Sequence, residues 1–155
     1  MNTPLYIFDL DGTLALTGHR QHLLDNLDNP HRWRDFFAAC VHDEPNEPVI
    51  HTMKELAQFN EIRIWSVRSA DVRPETLNWL SKYLAPWRPI MIESILTMRP
   101  SGNTIPDDEL KLGWLNALPP EDRKRLVAIF DDRDKVVRAW RNAGVACFQV
   151  AEGKF

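Results

Sequence analysis

Short runs of consecutive apolar residues punctuate the chain, and between them apolar positions recur every three or four residues. Leu5-Tyr6-Ile7-Phe8, Ile62-Arg63-Ile64-Trp65-Ser66-Val67, Leu126-Val127-Ala128-Ile129-Phe130 and Val145-Ala146-Cys147-Phe148-Gln149-Val150 have the length and composition of buried strands. Ile90-Met91-Ile92 is a shorter candidate of the same kind. The spacing predicts helices over 49–59 (Ile50, Met53, Leu56 and Ala57 on one face) and 74–84 (Leu77, Leu80, Leu84). It predicts two more over 107–118 (Leu110, Leu112, Trp114, Leu115) and 135–143 (Val136, Val137, Trp140), with Gly144 placed to end the last. Strands alternating with helices require crossover connections, so the fold class expected is α/β, a three-layer Rossmann-like parallel sheet with helices on both faces.

Residues 16–48 break the rhythm. Helix-like stretches over 22–27 and 31–41 follow the first strand with no strand between them and the helix beginning near Val49. This pattern predicts a small helical cap inserted over the carboxyl end of the sheet, where parallel folds place ligands. At 155 residues the chain is the length of one domain carrying such a cap.

The formal charge of −3, from 19 basic and 22 acidic side chains, excludes a broad positive surface for duplex nucleic acid. Cys40 and Cys147 are far apart and lack metal-spaced partners, which argues against a disulfide framework or a structural zinc site. The start of the chain has no basic lead before an apolar stretch, and no run approaches the roughly 18 apolar residues of a membrane span. A cytoplasmic protein without membrane contact is expected.

Candidate chemistry gathers at strand ends. Asp9-Leu10-Asp11-Gly12-Thr13 follows the first strand, and residues two apart at an extended end point the same way, so Asp9 and Asp11 can serve one site. Asp-Gly is also an ordinary turn. Asp131-Asp132 follows another predicted strand at the equivalent place; helix capping accounts for one of these carboxylates and leaves the second unexplained. Acids converging from two parallel strand ends suit a hard cation such as Mg²⁺. Ser66 stands at the end of the second predicted strand, and Lys111 lies in the helix after the loop 97–106.

This ordered set resembles the four motifs of the haloacid-dehalogenase-like (HAD) phosphohydrolases, carried here by Asp9 to Thr13, Ser66, Lys111 and Asp131-Asp132. A longer match looks like the phosphatase domain of bacteriophage polynucleotide kinase-phosphatases. It runs through Tyr6 to Ala15, Ser66-Val67-Arg68-Ser69, Arg99 to Thr104 with Asp107, Asp108 and Lys111, and Ile129 to Arg133 with Trp140, Gly144-Val145, Gln149-Val150 and Gly153 to Phe155. The match is weakest over 21–48 and departs from the phage pattern at Val67 and Ile105. No Gly-x-x-x-x-Gly-Lys-Ser/Thr loop occurs in the chain, so the kinase half of the phage enzyme is not expected in it, and a separate kinase or ligase would be the partner.

The resemblance implies an HAD-like fold and a Mg²⁺-dependent phosphomonoester hydrolase. It implies Asp9 as nucleophile forming an aspartyl-phosphate and Asp11 as general acid and base. It assigns the Asp9 carboxylate, the Asp11 carbonyl, Asp131 and Asp132 to the metal, and Ser66 and Lys111 to the phosphoryl oxygens. Thr13, Arg20, Arg68, Arg99 and Arg133 become phosphate or substrate contacts, although Arg133 could equally pair with Asp131 or Asp132. The substrate expected is a 3′-terminal phosphate of nucleic acid; alternatives are a nucleotide monophosphate or other small ester, and a phospho-acceptor signalling module.

Residues 18–48 carry Arg20, Arg32 and Arg34 against six acids, Asp25, Asp28, Asp35, Asp43, Glu44 and Glu47, a balance that disfavours a long strand lying across them. Trp33, Phe36 and Phe37 there read either as a stacking face for a base or as a buried helix stripe, and His19, His22, His31 and His42 read as surface.

Overall fold

The computed structural model describes residues 2–154; Met1 and Phe155, the end of the C-terminal stretch named above, lie outside the described residues. Five parallel strands form one sheet: β1 (Leu5–Phe8), β4 (Glu61–Ser69), β5 (Leu96–Arg99), β6 (Leu126–Asp131) and β7 (Cys147–Gln149). Their order is β5-β4-β1-β6-β7, so the chain builds outward from β1 in one direction, then returns to build on its other side. The switch point therefore falls at β1, and such a fold places its crevice beyond the carboxyl ends of the strands there.

Alternation along the strands divides two apolar layers. Phe8, Ile62 and Ile64 face a core closed by Ile50 and Met53 of α3 (Glu47–Leu56), Trp79 and Leu80 of α4 (Arg73–Tyr83) and Ile92 of α5 (Pro89–Ile95). Leu5, Ile7, Trp65 and Ile129 face the opposite core, closed by Leu115 of α6 (Asp107–Asn116) and by Val136, Val137 and Trp140 of α8 (Asp134–Asn142). The three-layer α/β expectation holds, and Gly144 ends α8 with φ +79°.

Two local expectations are corrected. Ile90-Met91-Ile92 is helical, in α5, because Pro89 presets the first turn and only Ile92 is buried. The strand is Leu96–Arg99, where Leu96 and Met98 point into the core while Thr97 and Arg99 dilute the apolar signal. Ser66 does not end β4, which continues to Ser69. The short helix α7 (Pro120–Arg125) had no apolar stripe to announce it; proline at its start, acids in its first turn and bases in its last carry it.

Between β1 and α3 the chain forms α1 (His22–Asp25), α2 (Arg32–Ala38) and 3₁₀ turns over Gly18–Arg20 and Ala39–His42. The excursion is closed at its base by an antiparallel ribbon, β2 (Ala15–Leu16) with β3 (Glu44–Pro45), which the sequence pattern did not reveal. Two-residue strands are too short to show a period. Among the described residues no helix is long and apolar enough to cross a membrane.

Candidate active site

The central strands β1 and β6 run side by side and both end in acid. The Asp9 amide donates to the Phe130 carbonyl at 2.9 Å, which fixes Asp9 beside Asp131 and Asp132. These three buried residues bring one carboxylate oxygen each within 4.8 Å of one another. Lys111, buried on α6, places Nζ 2.8 Å from Asp9 Oδ1 and 2.8 Å from Asp131 Oδ2. Asp131 also accepts from its neighbour's amide, Asp132 N–H, at 2.9 Å and from Trp140 Nε1 at 3.1 Å, so its orientation is fully determined. Thr13 Oγ1 donates to Asp9 Oδ2 at 3.0 Å.

Close approach of the two strand ends depends on Gly12. Its φ is +83°, and a side chain there would meet the Asp132 carboxylate, an added Cβ falling 2.0 Å from Oδ2. Gly153 plays a similar part behind the site, where a Cβ would lie 2.4 Å from the Asp132 carbonyl.

Three acids against one lysine leave an excess of negative charge. Burial and then the Asp131 charge raise the Asp9 carboxyl well above the usual range, and the same two causes push Asp132 up to about 6. For Lys111, burial works against the charge, but Asp131 and Asp9 more than reverse this and its ammonium is firmly held. An oxygen-only donor set with uncompensated charge fits a hard divalent cation such as Mg²⁺.

Asp11 lies two residues along in a different setting. Its carboxylate is one-fifth exposed and is gripped by Arg20 Nη2 at 2.8 Å and by Arg68 Nη2. Both arginines also hold Asp43, Arg20 through Nε and Nη2 at 2.8 Å each and Arg68 through Nη2 at 3.1 Å, and His19 Nε2 lies 2.7 Å from the same acid. Arg20, Arg68 and Asp43 are buried, and Trp79 Nε1 pins the Asp43 carbonyl at 2.8 Å. Burial would raise the Asp11 pKa, but the Arg68 and Arg20 charges outweigh it and leave it below the ordinary carboxylate value.

Over this floor opens a cleft of about 490 Å³, within the range of small-ligand sites. Asp9, Asp11, Lys111, Asp131 and Asp132 lie at its base, while α1 and α2 contribute Leu24, Trp33 and Phe37 to one side.

The sequence matches the model of the polynucleotide kinase PNKP phosphatase domain over residues 3–155. The chain belongs to this family. It is 35% identical over 137 residues to a protein of Autographa californica nuclear polyhedrosis virus assigned as a bifunctional polynucleotide kinase/RNA ligase, covering 86% of this chain and 17% of the viral protein. A chain in the structure of the Pnkp1/Rnl/Hen1 complex superposes with a TM-score of 0.75 at 27% identity, over 100% of this chain and 48% of that one. The class C acid phosphatase of Bacillus anthracis shares the fold at a TM-score of 0.66 and 14% identity, over 100% of this chain and 69% of that one. This chain thus spans less than half of that chain of the complex and about a sixth of the viral protein. The molecule is an HAD-fold phosphatase domain of the PNKP type, a phosphoric monoester hydrolase.

Within this phosphatase the residues singled out from sequence fall into three groups. Asp9, Asp11, Lys111, Asp131 and Asp132 converge on the cleft floor. Thr13 and Ser66 are buried and turned inward: Thr13 serves Asp9, and Ser66 Oγ accepts from the Arg68 amide at 3.1 Å, while Val67 and Ser69 form the cleft wall. The arginines expected on phosphate are engaged with protein acids. Arg20 and Arg68 clamp Asp11, Arg99 spans the Val67 carbonyl at 2.9 Å and Asp107 at 2.6 Å, and the Arg133 guanidinium pairs with Asp107 while its amide donates to Asp131 Oδ1 at 3.4 Å. Asp43 has no sequence signal, since an isolated acid before a two-residue strand has no pattern; its partners Arg20, Arg68 and His19 are reached only in the folded chain.

Proposed function

We propose that this domain is a Mg²⁺-dependent phosphatase that removes 3′-terminal phosphates from nucleic acid through an aspartyl-phosphate on Asp9. The observation that carries this reading is the grouping of Asp9, Asp131 and Asp132 around Lys111 at the ends of β1 and β6, within a chain matched almost end to end by the PNKP phosphatase family. Asp9, Asp131 and Asp132 would hold the cation, with the Asp11 carbonyl beside them. Bound there, Mg²⁺ would offset charge on the carboxylates and on the phosphoryl oxygens.

Each side chain then has a definite task. Asp9 is buried, oriented by Lys111 on one oxygen and Thr13 on the other, and as a carboxylate it attacks phosphorus without a base to activate it. Lys111 neutralises the nucleophile and stands next to the arriving phosphate. Asp11 faces the cleft and exchanges the proton, giving one to the leaving oxygen and later taking one from the water that cleaves the acyl-phosphate. Arg20 and Arg68 favour its anion, so it rests as a base and must take up the proton it donates.

The measurement that tests this is phosphate release with Mg²⁺ from a 3′-phosphorylated oligonucleotide beside a panel of nucleoside monophosphates. Higher kcat/KM on the oligonucleotide is expected. Faster turnover of the monophosphates would replace the polynucleotide reading with a nucleotidase, and stoichiometric labelling without turnover would replace it with a phospho-acceptor.

A further inference from the structure

The helical excursion places an aromatic group beside the catalytic floor that phosphate chemistry does not need. Trp33 is 54% exposed and lines the cleft with Phe37, although a residue of its size would normally be covered in a helix packed on a core. Its ring is braced from below, with centroids 6.0 Å from both Phe36 and Phe37 and planes at 83° and 33° to them. All three rings line the cleft, Phe36 buried and Trp33 exposed.

The brace is also tied to the catalytic acid. The Arg20 guanidinium lies 4.2 Å over the Phe36 ring, donates to the Phe36 carbonyl at 3.1 Å, and grips Asp11 at 2.8 Å. One buried side chain therefore contacts both Phe36 and Asp11. Lining the same cleft is Ile105, which is 44% exposed. An apolar residue offers no grip on a second phosphate and is compatible with a flat ring.

We infer that Trp33 and Phe37 form a stacking platform for the terminal nucleobase of the substrate, so that the site selects a phosphate ester carrying a base, with little regard to which base it is. This rests on the reading of the domain as a nucleic-acid 3′-phosphatase. Stacking is tolerant of base identity because every base has a π-face. Among the polar side chains of the cleft, Asn103 Oδ1 already accepts from Arg99 Nη1 at 2.9 Å and from the Ile105 amide at 3.0 Å, and Gln21 Nε2 donates to Thr17 Oγ1 at 3.1 Å. The acidic balance of residues 18–48 limits the grip to the terminal nucleotide, because a strand continuing across that segment would meet like charge.

The test pairs each substrate with a version lacking its terminal base: a 3′-phosphorylated oligonucleotide with or without an abasic terminal residue, and a nucleoside 3′-monophosphate with the matching sugar phosphate. KM for the base-bearing member of a pair is expected to be roughly tenfold lower, with kcat much less affected. Exchanging A, C, G and T at the terminus should move KM by only a few-fold. In Trp33→Ala the gap between pair members should close, and Trp33→Phe should keep most of it, a contrast that general damage to α2 would not produce. Equal KM within the pairs, or a gap that survives Trp33→Ala, overturns the platform. Monophosphates outrunning oligonucleotides while both pairs keep their gap would overturn the polynucleotide reading and leave the platform standing.

Discussion

Asp9 and Asp11 are two residues apart and sit in opposite electrostatic surroundings. Around Asp9, two further buried acids share one lysine, and the cluster holds more negative charge than its protein partners cancel. Around Asp11, two acids meet two buried arginines, and the balance is complete within the protein. The first arrangement raises carboxylate pKa values and asks for an external cation; the second lowers one and asks for nothing. One cluster keeps charge that its protein partners do not cancel, and the other is compensated within the protein.

The difference can be broken at either side. On the proposed role of Asp9 as nucleophile, Asp9→Asn should have the largest effect, lowering kcat/KM on the order of 10³-fold or more. Asp11→Asn should cost roughly 10²- to 10⁴-fold in the same steady-state assay, as expected for loss of a general acid and base.

Asp43→Asn should be chiefly a stability variant. Removing one acid leaves Arg20 and Arg68 underpaired in the interior, and denaturant titration should show a loss of roughly 3–5 kcal/mol. Unchanged stability would mean that the clamp is not held from behind. Mg²⁺ should sharpen the contrast from the other side: at a concentration about 100 times its dissociation constant it should stabilise the native domain by about 2.7 kcal/mol in thermal or denaturant unfolding. Asp131→Asn should lose that response. Asp122→Asn should still show it, because Asp122 belongs to neither cluster.

The smallest effect concerns a control at the far end of the sheet. Asp122 accepts from Arg63 at 2.7 Å and from Arg125 at 2.9 Å, and these hydrogen bonds hold its carboxyl below the ordinary value. Since its folded pKa is depressed, the stabilisation is complete above the unfolded value of about 3.9 and disappears as pH falls through the lower folded value. Asp122→Asn should therefore cost less than about 1 kcal/mol at neutral pH, nothing under strongly acid conditions, and leave turnover unchanged.

Much of the fold was legible because apolar runs and helical stripes carry a period. The four strands with continuous apolar runs emerged, while β5, with Thr97 and Arg99 in a four-residue strand, did not. The candidate floor was legible for a related reason: Asp9, Asp11, Asp131 and Asp132 directly follow or end such runs, and parallel strands bring their carboxyl ends together. The arginines were legible as residues and not in their partners, because a long flexible side chain does not reveal from its position what it reaches. Arg20 and Arg68 reach Asp43, 23 and 25 residues away in opposite directions along the chain.

By itself the sequence determined the alternation of strands and helices, the acids at strand ends and the acidic balance of the excursion, all of which are local in the chain. Only the tertiary structure decided which acids share a lysine and which share arginines, and that Trp33 faces the cleft while Phe36 lies beneath Arg20. The physical reason is range. Period and composition act between neighbours in sequence, whereas charge compensation and ring packing act between neighbours in space, which only the folded chain brings together.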